Sequence, residues 1–208
     1  MDDGLGAYDA VVLAGGAARR FGGATDKVAL EVDGTALLDR VLAGCAGARS
    51  TVVVGPRRPT GRPVGWVREQ PPGGGPVAAV AAALPSVTAD RILLLAADLP
   101  FFEPATAAVL LRGLDGATDG SADGAVDAAV LVDAGGRDQP LAAAYRTAPL
   151  LAALTALGEP AGLPLRRLVG GLTTRRIADP DGASLDCDTW DDLARARAHA
   201  RARVPRGK

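Results

Sequence analysis

An apolar run, Val11-Val12-Leu13-Ala14, stops abruptly at Gly15-Gly16, and a loop rich in glycine and arginine then closes on Asp26-Lys27. Such a stretch dictates a strand that feeds bare backbone, with Arg19, Arg20 and Lys27 held over it. Glycine lets backbone N–H groups approach a ligand closely, and clustered N–H groups form a concavity suited to phosphate. Arginine adds bidentate bonds and lysine a point charge, so the loop reads as a triphosphate site. Two commoner phosphate motifs do not account for it. A P-loop needs G-x-x-x-x-G-K-[ST], whereas Lys27 follows Asp26 and precedes Val28. A dinucleotide fingerprint needs G-x-G-x-x-G, and the glycines of this loop do not fall at that spacing. The plainer alternative is a strand and a flexible turn with solvated arginines. Against it stands the choice of residue. Of 23 basic residues only Lys27 and Lys208 are lysines, so a lysine inside a glycine loop marks a need for that head group.

The segment 13–27, LAGGAARRFGGATDK, resembles the signature of the molybdenum cofactor guanylyltransferases, a branch of the GT-A type nucleotidyltransferases. The family pattern, L-A-G-G-x-[SA]-x-R-[MF]-G-x-D-K, is matched at Leu13, Ala14, Gly15, Gly16, Arg20, Phe21, Gly22, Asp26 and Lys27. Three residues, Gly23, Ala24 and Thr25, stand between Gly22 and Asp26 where the pattern has one. Related branches that use CTP usually carry L-A-A-G, so by resemblance Gly15 implies a guanine nucleotide.

At 208 residues the chain fits a single domain with a sizeable core, which we divide into a nucleotide-binding half over 9–114 and an acceptor-binding half with a C-terminal helix over 128–203. A net charge of −1 argues against generic nucleic-acid or membrane binding. Cys45 and Cys187 lie far apart and form no C-x-x-C pair. With no signal peptide and no apolar run near membrane-spanning length, the chain reads as cytoplasmic, with its thiols free and buried. The one histidine, His199, falls in an Arg-rich C-terminal helix, where a surface role is expected. Chemistry here must therefore rest on carboxylates, metal, lysine and arginine.

Strands are expected over 9–14, 51–54, 66–69, 91–97, 128–132, 141–145 and 175–178, alternating with helical patterns. Thr35 and Thr147 read as N-caps, Pro76 suits the first turn of a helix over 77–84, and Pro164 opens a short helix. Strands alternating with helices predict a three-layer α/β/α, Rossmann-like domain with a mostly parallel, partly mixed sheet. The strand 91–97 delivers Asp98 at its carboxyl end, where open α/β sheets bind ligands, and Leu99-Pro100 stops it. Alternatively Asp98 is a turn residue capping its neighbours. The glycines of 73–76 would bring backbone close to a flat ligand at a helix N-terminus, or form a plain loop. Arg57, Arg58 and Arg62 read as a solvated loop or as ligand contacts, and 115–127 as a mobile Gly/Asp/Ser-rich loop. Thr189 and Asp192 form a capping-box pattern that Asp186 and Asp188 could merely serve.

The resemblance implies more. In the family a G-P segment lies against the nucleotide, here Gly74, Gly75 and Pro76, with an acidic residue a few positions earlier, where this chain has Gln70. The Asp in the position of Asp98 is a magnesium ligand, and Asp188, in a segment resembling N-x-[ND]-T-P-E-[ED]-L, is the better candidate for a second. Gln139-Pro140-Leu141 with Tyr145 resembles a Q-P-L-x-x-x-[YF] segment on the side of the second substrate, and Arg166 is a candidate for its phosphate. The expected activity is a Mg²⁺-dependent transfer of GMP from GTP to molybdopterin, with Arg20, Lys27 and Asp98 catalytic. A molybdoenzyme or its chaperone is a candidate partner. The alternatives are CTP or another phosphorylated acceptor on the same fold, and a GTP-binding partner protein without catalysis.

Overall fold

In a computed structural model, residues 5–15, 26–115, 126–179 and 181–203 are described. Gly16, Arg19, Arg20 and Gly22, and most of the stretch 115–127, lie outside those residues. Strand β1 (Asp9–Leu13) is followed by a short hairpin, β2 (Glu31–Val32) and β3 (Thr35–Ala36), and by helix α1 (Leu37–Gly44). Then come β4 (Ser50–Val54), β5 (Gly65–Val67), α2 (Gly75–Ala83), β6 (Arg91–Ala96) and α3 (Pro104–Gly113). The remainder comprises β7 (Ala128–Val132), β8 (Asp138–Arg146), α4 (Thr147–Leu157), α5 (Leu165–Val169), β9 (Thr174–Ala178) and α6 (Trp190–Arg203).

Seven strands share one sheet in the order β5-β4-β1-β6-β8-β7-β9. Only β8 runs against its neighbours, antiparallel to both β6 and β7, so the sheet is mostly parallel and partly mixed as expected. Side-chain alternation builds two cores. Ala10, Val12, Leu93 and Leu95 face one side, with Leu38, Val41, Leu110 and Leu111 of α1 and α3. Val11, Leu13, Ile92 and Leu94 face the other, with Val77, Val80, Leu150 and Leu165 of α2, α4 and α5. A strand covered on both faces reads as a continuous apolar run, which is why β1 and β6 stood out in the sequence. A third cluster packs Leu193, Ala196 and Ala200 of α6 against Val32, Leu37, Phe101 and Cys187.

The chain leaves β1 toward β4 and β5, then crosses back to place β6 on the other side of β1. That reversal opens a crevice at the carboxyl ends of β1 and β6, the usual ligand position in open α/β sheets. At the opposite end of the sheet the buried Asp9 holds the same strands together. It accepts from the Thr88 and Ala89 N–H groups at 2.7 and 2.9 Å and from the Ser50 hydroxyl at 2.9 Å. Arg49 adds contacts at 3.1 and 3.3 Å.

Two expected caps are absent. Thr35 lies in β3, paired with Val32 across a two-residue turn of Asp33 (φ 51°) and Gly34 (φ 71°). Left-handed backbone at both turn positions is the geometry of tight hairpins, and it outcompetes a cap at Thr35. Thr147 begins α4, but its hydroxyl donates to the Ala89 carbonyl at 2.6 Å instead of capping the helix. The strand expected over 66–69 ends at Val67, which leaves Arg68 and Glu69 as loop.

Candidate functional site

The sheet register extends just past the ends of β1 and β6 through Ala14 N–H to the Val54 carbonyl, at 2.8 Å, and Ala97 N–H to the Leu13 carbonyl, at 3.1 Å. Gly55, at φ 148°, allows the exit from β4 to pass this close. A Cβ there would stand 2.9 Å from the backbone of Ala14. Above these ends lies a cleft of about 870 Å³. It is lined by Leu13, Ala14 and Gly15 from the end of β1, by Gly75 and Pro76 from the start of α2, and by Lys27, Asp98 and Asp188.

Lys27 opens a single 3₁₀ turn, Lys27–Ala29, anchored by the buried side chain of Val28. Asp98 follows β6, and its carbonyl accepts the Cys187 N–H at 3.1 Å, which fastens the segment before α6 to the tip of the strand. Cys187 is buried in the α6 cluster, so the residues on either side of it are carried to the cleft. The capping box forms as expected: Asp192 N–H donates to the Thr189 hydroxyl at 3.1 Å, and Thr189 N–H to Asp192 Oδ2 at 2.8 Å. Asp192 thus serves the helix start, while Asp188 reaches the cleft.

The ammonium of Lys27 bonds to both Asp98 and Asp188. Burial alone would lower its pKa, but Asp98 and then Asp188 outweigh burial and hold it above the ordinary lysine value. Asp186 also lines the cleft, and partial desolvation, followed by repulsion from Asp188 and Asp98, raises its pKa. Among the described residues no group of three or more metal-type side chains converges. The site offers a pair of carboxylates on one cation position, an oxygen-only set that suits a hard divalent cation completing its shell with phosphate and water.

The cleft is also lined by a residue that the sequence did not single out. Glu69 is 8% exposed and accepts the Gly73 N–H on Oε1 at 3.0 Å. Its Oε2 is buried with no hydrogen-bond partner among the described residues. Gln70 is exposed and does not line the cleft, so the acidic residue of this segment is present one position earlier. Its signal was hidden by the strand expected to run through 69. A carboxylate just past a strand end, as at Asp98, was the clue available. Gly74 is not in the cleft wall either. Its carbonyl accepts the Gly162 N–H at 2.8 Å, and it caps the start of α2.

The residues expected on the acceptor side are not gathered into the cleft. Gln139 donates to Asp133 at 2.8 Å, and the Pro140 carbonyl accepts the Tyr145 hydroxyl at 2.8 Å. Both stand where the β7–β8 register shifts, an irregularity that tolerates a proline lacking its N–H. Arg166 is exposed on α5. Leu141 is the residue of that segment that does line the cleft. His199 is exposed, with its ring edge-on to Phe101 at 4.6 Å. Cys45 and Cys187 are free and buried, their thiols pushed up to about 12, chiefly by burial. No helix among the described residues is long and apolar enough to cross a membrane.

Comparison with known proteins bears on this geometry. Residues 10–175 match the family model described as the MobA-like NTP transferase domain. A probable molybdenum cofactor guanylyltransferase of Synechococcus elongatus is 41% identical over 101 residues, 45% of this chain and 51% of that protein. The chain thus spans about half the length of the curated relatives it matches. The structure of a Mycobacterium sp. strain JC1 homologue of Mycobacterium tuberculosis rv0371c superposes with a TM-score of 0.69 at 25% identity, covering 94% of this chain and 98% of the other. Molybdopterin-guanine dinucleotide biosynthesis protein A from Archaeoglobus fulgidus gives a TM-score of 0.68 at 21% identity, over 93% and 99% of the two chains, a likeness of fold. The family match covers most of the chain, from β1 into β9, and the chain belongs to the MobA-like NTP transferase family.

Proposed function

We propose that the protein transfers GMP from GTP to the terminal phosphate of molybdopterin, with Mg²⁺, and releases pyrophosphate. The observation that carries this reading is the meeting of Lys27, Asp98 and Asp188 in one cleft with the buried, half-paired carboxylate of Glu69. An acceptor phosphate oxygen forms a bond to the α-phosphorus as the bond to the bridging oxygen of pyrophosphate breaks. A phosphate monoester is largely ionised above its second pKa of about 6, so no strong general base is required. The work left to the protein is to hold two anions in line against their repulsion, by positioning and preorganised charge.

Asp98 and Asp188 would hold Mg²⁺ in the place that the Lys27 ammonium takes between them. Bound there, the ion supplies charge neutralisation at the phosphate oxygens. Lys27, released from the carboxylates, donates to the phosphate chain and stabilises the charge that builds on the leaving pyrophosphate. Arg20 is assigned the same task from the loop resemblance. The N-terminus of α2, at Gly75 and Pro76, adds the positive end of a helix dipole to the wall. Glu69 suits guanine because that base presents two adjacent donors, N1–H and N2–H₂, to a carboxylate. Cytosine lacks that pair, and an unpaired buried acceptor is costly until a ligand donor meets it. Gly15 lies against Glu69, with the position of a Cβ 3.6 Å from Oε1, so it leaves room for a flat base.

Thermal melting with GTP, CTP, ATP and UTP, each with and without Mg²⁺, tests the nucleotide assignment. A ligand at 100 times its Kd stabilises by about 2.7 kcal/mol. A shift specific to GTP and enlarged by Mg²⁺ is the expected result. A shift with CTP alone would move the protein to a cytidylyltransferase activity.

A further inference from the structure

Beyond β4 the chain runs through a segment rich in arginine and proline that reads, in sequence, as a solvated loop or as ligand contacts. Arg58 does not behave as a solvated residue. Its side chain is 16% exposed, and it lines both the cleft described above and a neighbouring cavity bordered by Arg57, Arg62 and Trp66. Its Nε donates to Asp26 Oδ2 at 3.0 Å. Its Nη1 is buried and has no hydrogen-bond partner among the described residues.

A guanidinium carries its donors in a fixed fork and keeps its charge at any physiological pH. An exposed ion pair contributes little and leaves its remaining donors in water. Here one donor is withdrawn from water with no acceptor among the described residues, which is unfavourable until an acceptor arrives. Asp26 directly precedes Lys27, and its carbonyl accepts the Ala29 N–H at 3.0 Å, so the Arg58 tether fastens the turn that presents the lysine. That tether also fixes the Arg58 fork beside the end of the glycine-rich loop.

We propose that Arg58 is a further phosphate-binding residue of the nucleotide cleft, with Nε held by Asp26 and Nη1 taking an anionic oxygen of the ligand's phosphate chain. The assignment rests on the reading of the cleft as a nucleoside triphosphate site and adds a cation that the loop motif does not contain. Its bond to Asp26, directly before Lys27, ties it to the phosphate chain and not to the base.

The test measures binding of tripolyphosphate, GTP and guanosine by titration calorimetry or NMR, to the unaltered protein and to the Arg58→Ala and Arg58→Lys variants. Loss of one charge-assisted hydrogen bond predicts that Arg58→Ala weakens tripolyphosphate and GTP by roughly 10- to 100-fold, while guanosine binding is unchanged. Arg58→Lys restores charge without the fork and recovers part of the loss. Equal weakening of guanosine and GTP would overturn the proposal in favour of a structural role, as would an unchanged affinity of Arg58→Ala for tripolyphosphate. Tripolyphosphate binding that depends on Arg58 without any guanosine binding would uphold Arg58 and remove the guanine assignment. If the unaltered protein binds none of the probes, both readings fall.

Discussion

Lys27 and Asp98, one closing the glycine-rich loop and the other just past β6, form an ion pair in the cleft. The lysine ammonium bonds to Asp188 as well. In the proposed mechanism it fills the place in which the two carboxylates would hold Mg²⁺.

A competition follows from that placement. Lys27→Ala removes the internal cation and leaves two facing carboxylates, so the nucleotide-free variant should bind Mn²⁺ more tightly than the unaltered protein. The same variant should lose at least ~100-fold in turnover, the scale for removing one preorganised electrostatic group. Mn²⁺ titration followed by electron paramagnetic resonance checks the first effect and pyrophosphate release the second. Tighter metal binding with unchanged turnover would remove Lys27 from the chemistry.

Asp98→Asn keeps the shape of the site and removes one of the two charges. It should abolish Mn²⁺ binding to the nucleotide-free protein and lower turnover by at least ~100-fold, with the melting temperature little changed. Asp188→Asn should act in the same direction, whereas Asp192→Asn should act on stability, because Asp192 is committed to the cap of α6.

Glu69 and Gly15 govern the base in this account. Glu69→Gln replaces an acceptor-only carboxylate by an amide, so its GTP affinity should fall by about 10-fold, the scale of one charged hydrogen bond, while CTP affinity is unchanged or improves. Gly15→Ala places a methyl in ordinary contact with Glu69. It should fold normally and lose part of the preference for GTP over CTP. Competition binding of the two nucleotides measures both effects.

Asp9 predicts a pH dependence of stability. Burial would raise its pKa, but the Thr88 and Ala89 N–H groups, the Ser50 hydroxyl and Arg49 together hold it below the ordinary aspartate value. A carboxylate with a lowered folded-state pKa contributes its stability above the unfolded value, about 3.9. That contribution is lost as pH falls through the folded value. Asp9→Ala should cost roughly 3 kcal/mol at neutral pH, the scale for breaking a buried charge network. It should also flatten the fall in stability below about pH 4. Urea unfolding across that range provides the check.

The fold was legible because β1 and β6 are buried on both faces and so appear as unbroken apolar runs. The glycine loop and Asp98 declared themselves by standing at the ends of those runs. Where short-range chemistry competes, the sequence was less informative. Thr35 has the right side chain for a cap, but Asp33 and Gly34 prefer a tight hairpin turn, and the turn takes precedence. Glu69 is not singled out by the sequence, and Arg58 reads there as solvated or as a ligand contact, because both roles depend on burial, which only the assembled crevice creates. Gln139 and Arg166 lie outside the cleft lining: the amide of the first donates to Asp133 beside the β7–β8 irregularity, and α5 presents the second to solvent.

The most direct test of the central claim is transfer of label from α-³²P-GTP to molybdopterin by the purified protein with Mg²⁺, run beside α-³²P-CTP. The account predicts a labelled guanine dinucleotide, formed with equimolar pyrophosphate, abolished by Asp98→Asn, and little or no product from CTP. GTP binding without transfer or pyrophosphate release, or transfer from CTP in preference to GTP, would contradict it.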